Sequence, residues 1–190
     1  RFAISAGLLQ EDGNVKPESF KRYTLRGNVD RQITDKWKAG LNIYFSQNLQ
    51  NLGSSEALRS AYRLPPMTYP YDETGAPAFR VYTTNAVTNP MFDQDNEIRQ
   101  VRNARTFGNI FVQFQPLKSL TLKSTISPNY STERSGFYFG PLSKQSLGGS
   151  VPTQASNASS EQLTWVWDNQ ATYDKQFGEH KLTATVVQSM

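Results

Sequence analysis

The residue types that most often perform covalent chemistry are scarce in this sequence. It has no cysteine, and its one histidine is His180. Without a thiol there can be no cysteine nucleophile, and a lone histidine excludes a metal site with two histidine ligands. His180 follows a predicted tight turn at 177–179, where an imidazole is ordinarily solvated. We therefore predict no catalytic residue, no cofactor and no enzymatic activity for this chain.

One short acidic run has the ligand type of a calcium site. Asp93, Asp95 and Glu97 alternate as D-x-D-x-E, and oxygen ligands at alternating positions can bind Ca²⁺. Ile98 stands where an EF-hand-like loop would require glycine, and no bidentate glutamate follows at the proper spacing. We predict a solvated acidic loop and keep these three residues only as a weak calcium candidate.

Aromatic side chains concentrate in two segments that lack a sustained period. Flat rings stack on sugar faces, and tyrosine suits interfaces because one end of its side chain is apolar and the other polar. Packing of these segments against the rest of the protein is the alternative explanation. The candidates for ligand or partner contact are Tyr62, Tyr69, Tyr71, Phe79, Tyr82, Phe137 and Tyr138, with Phe139 beside them.

Period-2 alternation indicates the elements that must position these residues. Strands are predicted at 1–9, 20–30, 37–49, 105–115, 120–133, 163–175 and 180–190. Pro128 should weaken the upper half of the fifth strand because proline removes a ladder donor. A short helix is predicted at 54–63, capped by Ser54 or Ser55 and ended by Pro65.

The connections between these strands alternate in length. Tight turns are predicted at 34–36, 116–119 and 177–179, and long polar connections at 51–104 and 134–161. In an antiparallel meander every second connection lies at the same edge, so this pattern favours an all-β, antiparallel transmembrane barrel segment with periplasmic turns and long extracellular loops. Strands of about 9–11 tilted residues span a bilayer. A soluble β-sandwich with one wet face would give the same alternation.

In a barrel, the polar positions of these strands face the lumen. Each alternates with apolar neighbours on a predicted strand. The predicted lumen-facing residues are Arg22, Arg26, Asp30, Lys38, Asn42 and Lys123.

Composition removes two other classes of function. The net charge of +4 is modest and spread along the chain, which gives no basic patch for nucleic acid. No apolar run approaches the roughly 18 residues of a transmembrane helix. Arg1 and Met190 both lie inside predicted strands, so we expect a piece of a longer protein.

An ordered series of segments carries a family resemblance. Residues 5–16 read SAGLLQEDGNVK, 20–30 read FKRYTLRGNVD and 38–43 read KAGLNI; AYRLPP at 61–66, YDETG at 71–75 and NP at 89–90 follow, then LTLKS at 120–124 and DNQATY at 168–173. This series strongly resembles SusC/RagA-type TonB-dependent transporters of Bacteroidetes and covers nearly the whole chain. No single motif is decisive, but their order is specific.

The resemblance implies a fold and a set of partners. It implies that residues 1–190 are about a third of the wall of a 22-stranded barrel, whose plug and remaining strands lie outside this chain. The six lumen-facing residues would then contact the plug or line the translocation path. Implied partners are outer-membrane lipid, a SusD-like surface lipoprotein, the TonB-ExbB-ExbD complex reached through the rest of the protein, and an oligosaccharide or peptide substrate. A passive porin, another outer-membrane barrel and a soluble adhesin module stay open as alternatives.

Overall fold

Seven strands form one antiparallel sheet in sequence order, β1 to β7. The structure is a computed structural model that describes residues 1–54, 56–81 and 87–190. The strands are β1 (Phe2–Asp12), β2 (Ser19–Gln32), β3 (Trp37–Asn51), β4 (Glu97–Leu117), β5 (Leu120–Phe139), β6 (Gln154–Phe177) and β7 (His180–Ser189). Helices α1 (Ala57–Arg63) and α2 (Pro90–Asn96) and a 3-10 turn (Leu147–Gly149) lie in the connections.

The two edges of the sheet differ as the sequence predicts. Two-residue turns join β4 to β5 and β6 to β7, and residues 33–36 join β2 to β3. Gly178 adopts a φ of +59° in the last turn, a conformation that costs a glycine little. The other edge carries residues 13–18, 52–96 and 140–153.

The register divides the side chains between two faces. Val29, Leu41, Ile110, Ile126 and Trp167 stand opposite one another in consecutive strands and therefore share one face. We call this mostly apolar surface the apolar face. The opposite surface, which carries Asn28, Asn42 and Asn109, is the polar face.

Among the residues that the structure describes, no second layer covers the apolar face. Ala57 is the one apolar residue that is buried within the described ranges, and it lies in α1 rather than on the sheet. Ile126 is 44% exposed and Trp165 is 54% exposed. A sandwich would have buried this face against another sheet, so the described residues do not form one.

Most strands extend beyond their predicted ends. β4 begins at Glu97, β5 continues to Phe139 and β6 begins at Gln154. The predicted loops 51–104 and 134–161 are therefore too long, and the connections are 52–96 and 140–153. The added ends of β4, β5 and β6 are polar and lack hydrophobic alternation. They still form strands, because β5 is hydrogen-bonded to a neighbour on both sides as far as Phe139.

The helices differ from the prediction in number and start. α1 begins at Ala57 rather than at position 54, because the Ser54 Oγ accepts hydrogen bonds from the backbone N–H groups of Glu56 and Ala57, both at 3.1 Å. Ser55, the other predicted cap, lies outside the described residues. α2 was not predicted. Within the described part of the chain, no helix is long and apolar enough to cross a membrane.

Pro128 interrupts one ladder only. β4 and β5 pair up to Phe107–Asn129 and again from Ile110–Ile126, with no paired residues between. On its other side Pro128 stays in register with Trp165 of β6. Gly108, which faces this gap, has no room for a side chain, since a Cβ there would collide with the carbonyl oxygen of Asn42.

Candidate functional site

The polar face carries a ladder of amide side chains across three strands. The Asn28 amide donates to Asn42, and the Asn42 amide donates to Asn109 at 2.9 Å. Three rows nearer the loop edge on the same face, the Arg22 Nε donates to the Asn48 Oδ1 at 3.0 Å. These bonds run perpendicular to the strands, so they hold the polar face in register independently of the backbone ladder.

Cations on this face lie over aromatic rings. The Arg26 guanidinium is 5.0 Å from the centre of the Tyr44 ring. The Nζ atoms of Lys38 and Lys123 lie 5.7 and 4.7 Å from the centre of the Phe111 ring. Such contacts are worth about 0.5–1 kcal/mol at exposed sites, and they leave the charged groups accessible on the polar face.

All six residues that the sequence places in the lumen share the polar face. In the register of β2, β3 and β5, Arg22, Arg26 and Asp30 alternate with the apolar positions, and Lys38 and Lys123 both pair with Gln113. The Lys38 Nζ lies 3.9 Å from the Asp30 Oδ2. Their contact with a plug or a substrate stays a prediction.

Sequence reasoning missed Arg105 on the same face. Its Nε donates to the Asn129 Oδ1 at 2.9 Å, and its guanidinium lies 5.1 Å from the centre of the Phe107 ring. A cavity of about 730 Å³ opens beside it, lined also by Arg22, Tyr44 and Glu133. The signal was present, because Arg105 is four residues before Asn109 and therefore in phase with it.

The two long connections pack on each other at the loop edge, and we call their described residues together the loop cap (52–54, 56–81, 87–96 and 140–153). The Lys144 Nζ donates to the Glu56 Oε2 at 2.7 Å, and the Lys144 backbone N–H donates to the Asp93 Oδ1, also at 2.7 Å. The Gly140 N–H donates to the Asn96 carbonyl at 2.8 Å. The second connection is therefore bound to the first at three points.

Two carboxyl groups at the contact between the connections, Glu56 and Asp93, have pKa values shifted in opposite directions. The hydrogen bond from Lys144 lowers the pKa of Glu56, opposed by partial burial. Asp93 is fully buried, and this desolvation raises its pKa although the backbone of Lys144 donates to it. The surroundings thus favour the charged form of Glu56 and disfavour the charged form of Asp93.

The acidic run does not assemble a metal site. Asp93 lies in α2 with its Oδ1 bonded to Lys144, Asp95 is exposed and Glu97 is the buried first residue of β4. Within residues 1–54, 56–81 and 87–190, no group of three or more carboxylate or histidine side chains is placed to hold a metal. The predicted solvated acidic loop is wrong, because Asp93 and Glu97 are buried in α2 and at the start of β4, and this arrangement gives the weak calcium candidate no support.

The predicted contact aromatics fall into different environments. Tyr62 is 82% exposed and Tyr69 is 72% exposed, and the Tyr69 ring meets Tyr71 edge-on at 5.8 Å. Phe79 instead packs inside the loop cap, with its ring 5.5 Å from Phe92. Tyr82 lies outside the described residues.

Phe137 and Tyr138 are not in a loop, contrary to the prediction. Both lie in β5, where Phe137 pairs with Arg99 and Tyr138 with Ile98. As neighbours in a strand they point to opposite faces. The Phe137 ring lies 4.8 Å from Phe139.

Asn89 is a second residue that the sequence analysis missed. Its Oδ1 accepts from the Met91 N–H at 3.1 Å and caps α2, while its amide donates to the carbonyls of Pro70 and Ala78, both at 2.9 Å. The Asn-Pro pair at 89–90 is a recognisable helix start. Asn89 thereby fixes the segment that presents Tyr69 and Tyr71.

This architecture, a two-faced antiparallel meander with turns at one edge and packed loops at the other, is the arrangement found in walls of outer-membrane barrels. Comparison with known proteins agrees. The chain is 26% identical over 96% of its length to TonB-dependent receptor P3 of Formosa agariphila, and 24% identical over 96% to TonB-dependent receptor P26 of the same organism. It spans 19% of the length of each of these relatives. No protein-family model matches the sequence.

Solved structures share the fold. Chains of the RagAB peptide importer, one in its closed-closed state, superpose with TM-scores of 0.78 and 0.77 at 22% and 20% identity. They cover 99% of this chain, which matches 22% of theirs. The predicted resemblance to SusC/RagA-type TonB-dependent transporters is confirmed, and all of these relatives are receptors or transporters rather than enzymes.

Proposed function

We infer that this chain forms part of the wall of a TonB-dependent barrel that imports a nutrient across a bacterial outer membrane. The observation that carries this proposal is the uncovered apolar face, which has no partner among the described residues. Lipid is the solvent that such a face requires when the opposite face is lined with charges and amides.

The dimensions of the apolar face support a membrane. From Leu120 to Tyr130, at roughly 3.3 Å per residue, β5 covers about 33 Å, and a tilt of about 40° reduces its height to about 25 Å. That is the height of the apolar band of an outer-membrane barrel. Aromatic residues lie near the borders, with Tyr130 above and Trp37 stacked on Phe114 at 4.4 Å below.

The polar face and the loop cap support the proposal of active import through a plugged barrel over that of an open pore. Arg22 and Arg105, which line a cavity of about 730 Å³, provide polar contacts that an internal plug domain would need. The exposed Tyr62, Tyr69 and Tyr71 lie on the side where a SusD-like lipoprotein would close the mouth. The substrate we propose is an oligosaccharide or a peptide; the peptide is favoured by the fold shared with RagAB, the glycan by the resemblance in sequence.

The first experiment is to isolate the full-length protein from native outer membranes in mild detergent and to identify what accompanies it. A lipoprotein in equal amount is expected. Isolation from the membrane without a partner would favour a passive porin, and recovery from the aqueous fraction would contradict the barrel. Uptake of labelled peptides and oligosaccharides, with and without an energised inner membrane, then distinguishes the substrates and the energy source.

Adjacent residues on opposite faces provide a matched test of the lipid assignment. Ile126 lies on the apolar face and Ser127 on the polar face. Ile126→Lys should cost about 2–4 kcal/mol in lipid and reduce the amount of assembled barrel, whereas Ser127→Lys should assemble normally. Equal assembly of the two variants would contradict the assignment of the faces.

A further inference from the structure

Three basic residues lie in one row across the strands on the apolar face. The row is next to the apolar residues, on the side of the sheet that carries the loop cap. Lys21 pairs with Leu49, Leu49 with Arg102, Arg102 with Arg134, and Arg134 with Ser159. Partners in an antiparallel register point to the same face. The row is therefore on the outside of the proposed barrel, away from any plug or translocation path.

Arg102 and Arg134 stand directly opposite each other in neighbouring strands. Like charges in that position destabilise a sheet, and within the described residues neither arginine forms an ion pair with a carboxylate. The nearest acidic residue in register, Glu161, pairs with Thr132 in the adjacent row. The arrangement leaves two exposed guanidinium groups side by side with their charge uncompensated.

A pocket lies between these arginines. Its volume is about 310 Å³, and its lining includes both arginines, Leu49, Gln100 and Asn157. Guanidinium groups bind phosphate through paired N–H donors, and amide side chains supply further donors. The pocket thus combines the positive charge and the hydrogen-bond donors that a phosphate group requires.

The height of the row fits a lipid headgroup. Lys21 is two residues beyond Tyr23, and Arg134 is four residues beyond Tyr130, which corresponds to roughly 7 and 13 Å along the strands. Basic residues at this distance from the hydrocarbon border meet the charged headgroups of the adjoining leaflet. A soluble anion would have no reason to prefer this position over the lumen.

We propose that Lys21, Arg102 and Arg134 bind the phosphate groups of an anionic glycolipid in the outer leaflet, with its acyl chains against Tyr23 and Tyr130. This proposal rests on the proposed function, since it requires that the apolar face meets lipid. The bound lipid neutralises the opposed arginines and thereby stabilises the loop-side ends of β4 and β5.

The test is lipid retention by the full-length transporter. The double variant R102Q/R134Q is compared with R31Q/K175Q, which removes two charges from the same face on the turn side. Each protein is isolated from outer membranes in mild detergent, and phosphorylated glycolipid per protein is measured by mass spectrometry. We expect R102Q/R134Q to retain at least about tenfold less glycolipid than the wild type, because a charge-assisted hydrogen bond contributes more than the roughly 1.4 kcal/mol that a factor of ten requires. R31Q/K175Q should retain as much glycolipid as the wild type.

A binding measurement distinguishes the phosphate of a lipid from free phosphate. Delipidated wild-type protein should bind purified outer-leaflet glycolipid and should bind its dephosphorylated form at least about tenfold more weakly. Equal retention by both double variants, equal binding of the two glycolipid forms, or displacement by inorganic phosphate alone would overturn the proposal. In each of these cases the protein would still be found in the outer membrane with uptake intact, so failure of the lipid site is distinct from failure of the proposed function.

Discussion

The Nζ of Lys144 lies 2.7 Å from the Oε2 of Glu56, although 88 residues separate the two in the sequence. Both side chains are less than one-fifth exposed. The backbone N–H of Lys144 also reaches Asp93, so one residue of the shorter connection contacts two parts of the longer connection. The loop cap consequently behaves as one body rather than as two independent loops.

Removing this ion pair should loosen the loop cap without affecting the sheet. Lys144→Met is expected to cost about 1–3 kcal/mol of local stability, because it leaves a largely buried carboxylate without its charged donor. Hydrogen exchange of residues 140–153 in the full-length protein measures this loss. Arg59→Met is the control, since Arg59 contacts the same carboxylate at 3.5 Å but is 61% exposed and should cost less than about 1 kcal/mol. Equal effects of the two substitutions would contradict the central role of Lys144.

The carboxyl groups of Glu56 and Asp93 should respond oppositely to acid. The pKa of Glu56 is lowered in the folded state, so its contribution to stability is present above the unfolded pKa and is lost as the pH falls through the folded value. The pKa of Asp93 is raised, so its contribution is present below the unfolded pKa and is lost as the pH rises through the folded value.

Variants separate these two contributions between about pH 7 and about pH 3, the range in which carboxyl groups titrate. Asp93→Asn keeps an acceptor for the Lys144 N–H and should stabilise the loop cap at neutral pH. Its loop cap should then lose more stability on acidification than the wild type does. The loop cap of the Glu56→Gln variant should lose less stability on acidification than that of the wild type. Hydrogen exchange of residues 140–153 across this range checks both slopes, and parallel slopes for all three proteins would refute the assignment.

Gly108 should not tolerate a side chain. Because a Cβ at this position meets the backbone oxygen of Asn42, Gly108→Ala requires a backbone shift and is expected to cost about 1–3 kcal/mol. Gly136→Ala is the control, as it lies on the same face and its Cβ would be 3.4 Å from the nearest atom. Thermal unfolding of the full-length barrel in detergent should separate the two variants, and equal midpoints would argue against the tight approach.

Arg22 and Arg26 are expected to hold the proposed plug. If the polar face contacts an internal domain, R22A/R26A should increase the passage of large antibiotics through the outer membrane, because the plug loses charged contacts. The control is Arg31→Ala, which removes a charge from the apolar face of the same strand. Growth inhibition by an antibiotic that normally fails to cross the outer membrane gives the measurement, and unchanged resistance in the double variant would count against a role in plug contact.

Tyr69 and Phe79 should respond differently to truncation. Tyr69 is 72% exposed, so Tyr69→Ala should weaken binding of the proposed lipoprotein by up to about tenfold and leave loop stability unchanged. Phe79→Ala removes the ring that packs on Phe92 and should instead increase hydrogen exchange in the loop cap. Co-purification and exchange together decide the matter; a Tyr69 variant with altered exchange and full binding would show that this ring packs rather than binds.

The strands were predictable from the sequence because alternation determines which face each residue takes. Arg22, Arg26 and Asp30 share the polar face for this reason alone. The ends of the strands were not predictable, since β5 beyond Glu133 is held by pairing with β4 and β6 and not by a pattern of its own. The loop cap was also hidden, because Lys144, Glu56 and Asp93 are far apart in sequence and carry no motif. Asn89 with Pro90 is the exception, because a capping asparagine followed by proline is a local signal for the start of a helix.

The strand order has a consequence for how this part of the chain acquires its structure. Every strand pairs only with its neighbours in sequence, so the sheet can grow by adding one hairpin at a time, and each step closes only a short loop at small entropic cost. The contact between Lys144 and Glu56 has to wait until β4 and β5 bring residues 56 and 144 to the same edge. The loop cap is therefore completed late, after the sheet beneath it exists.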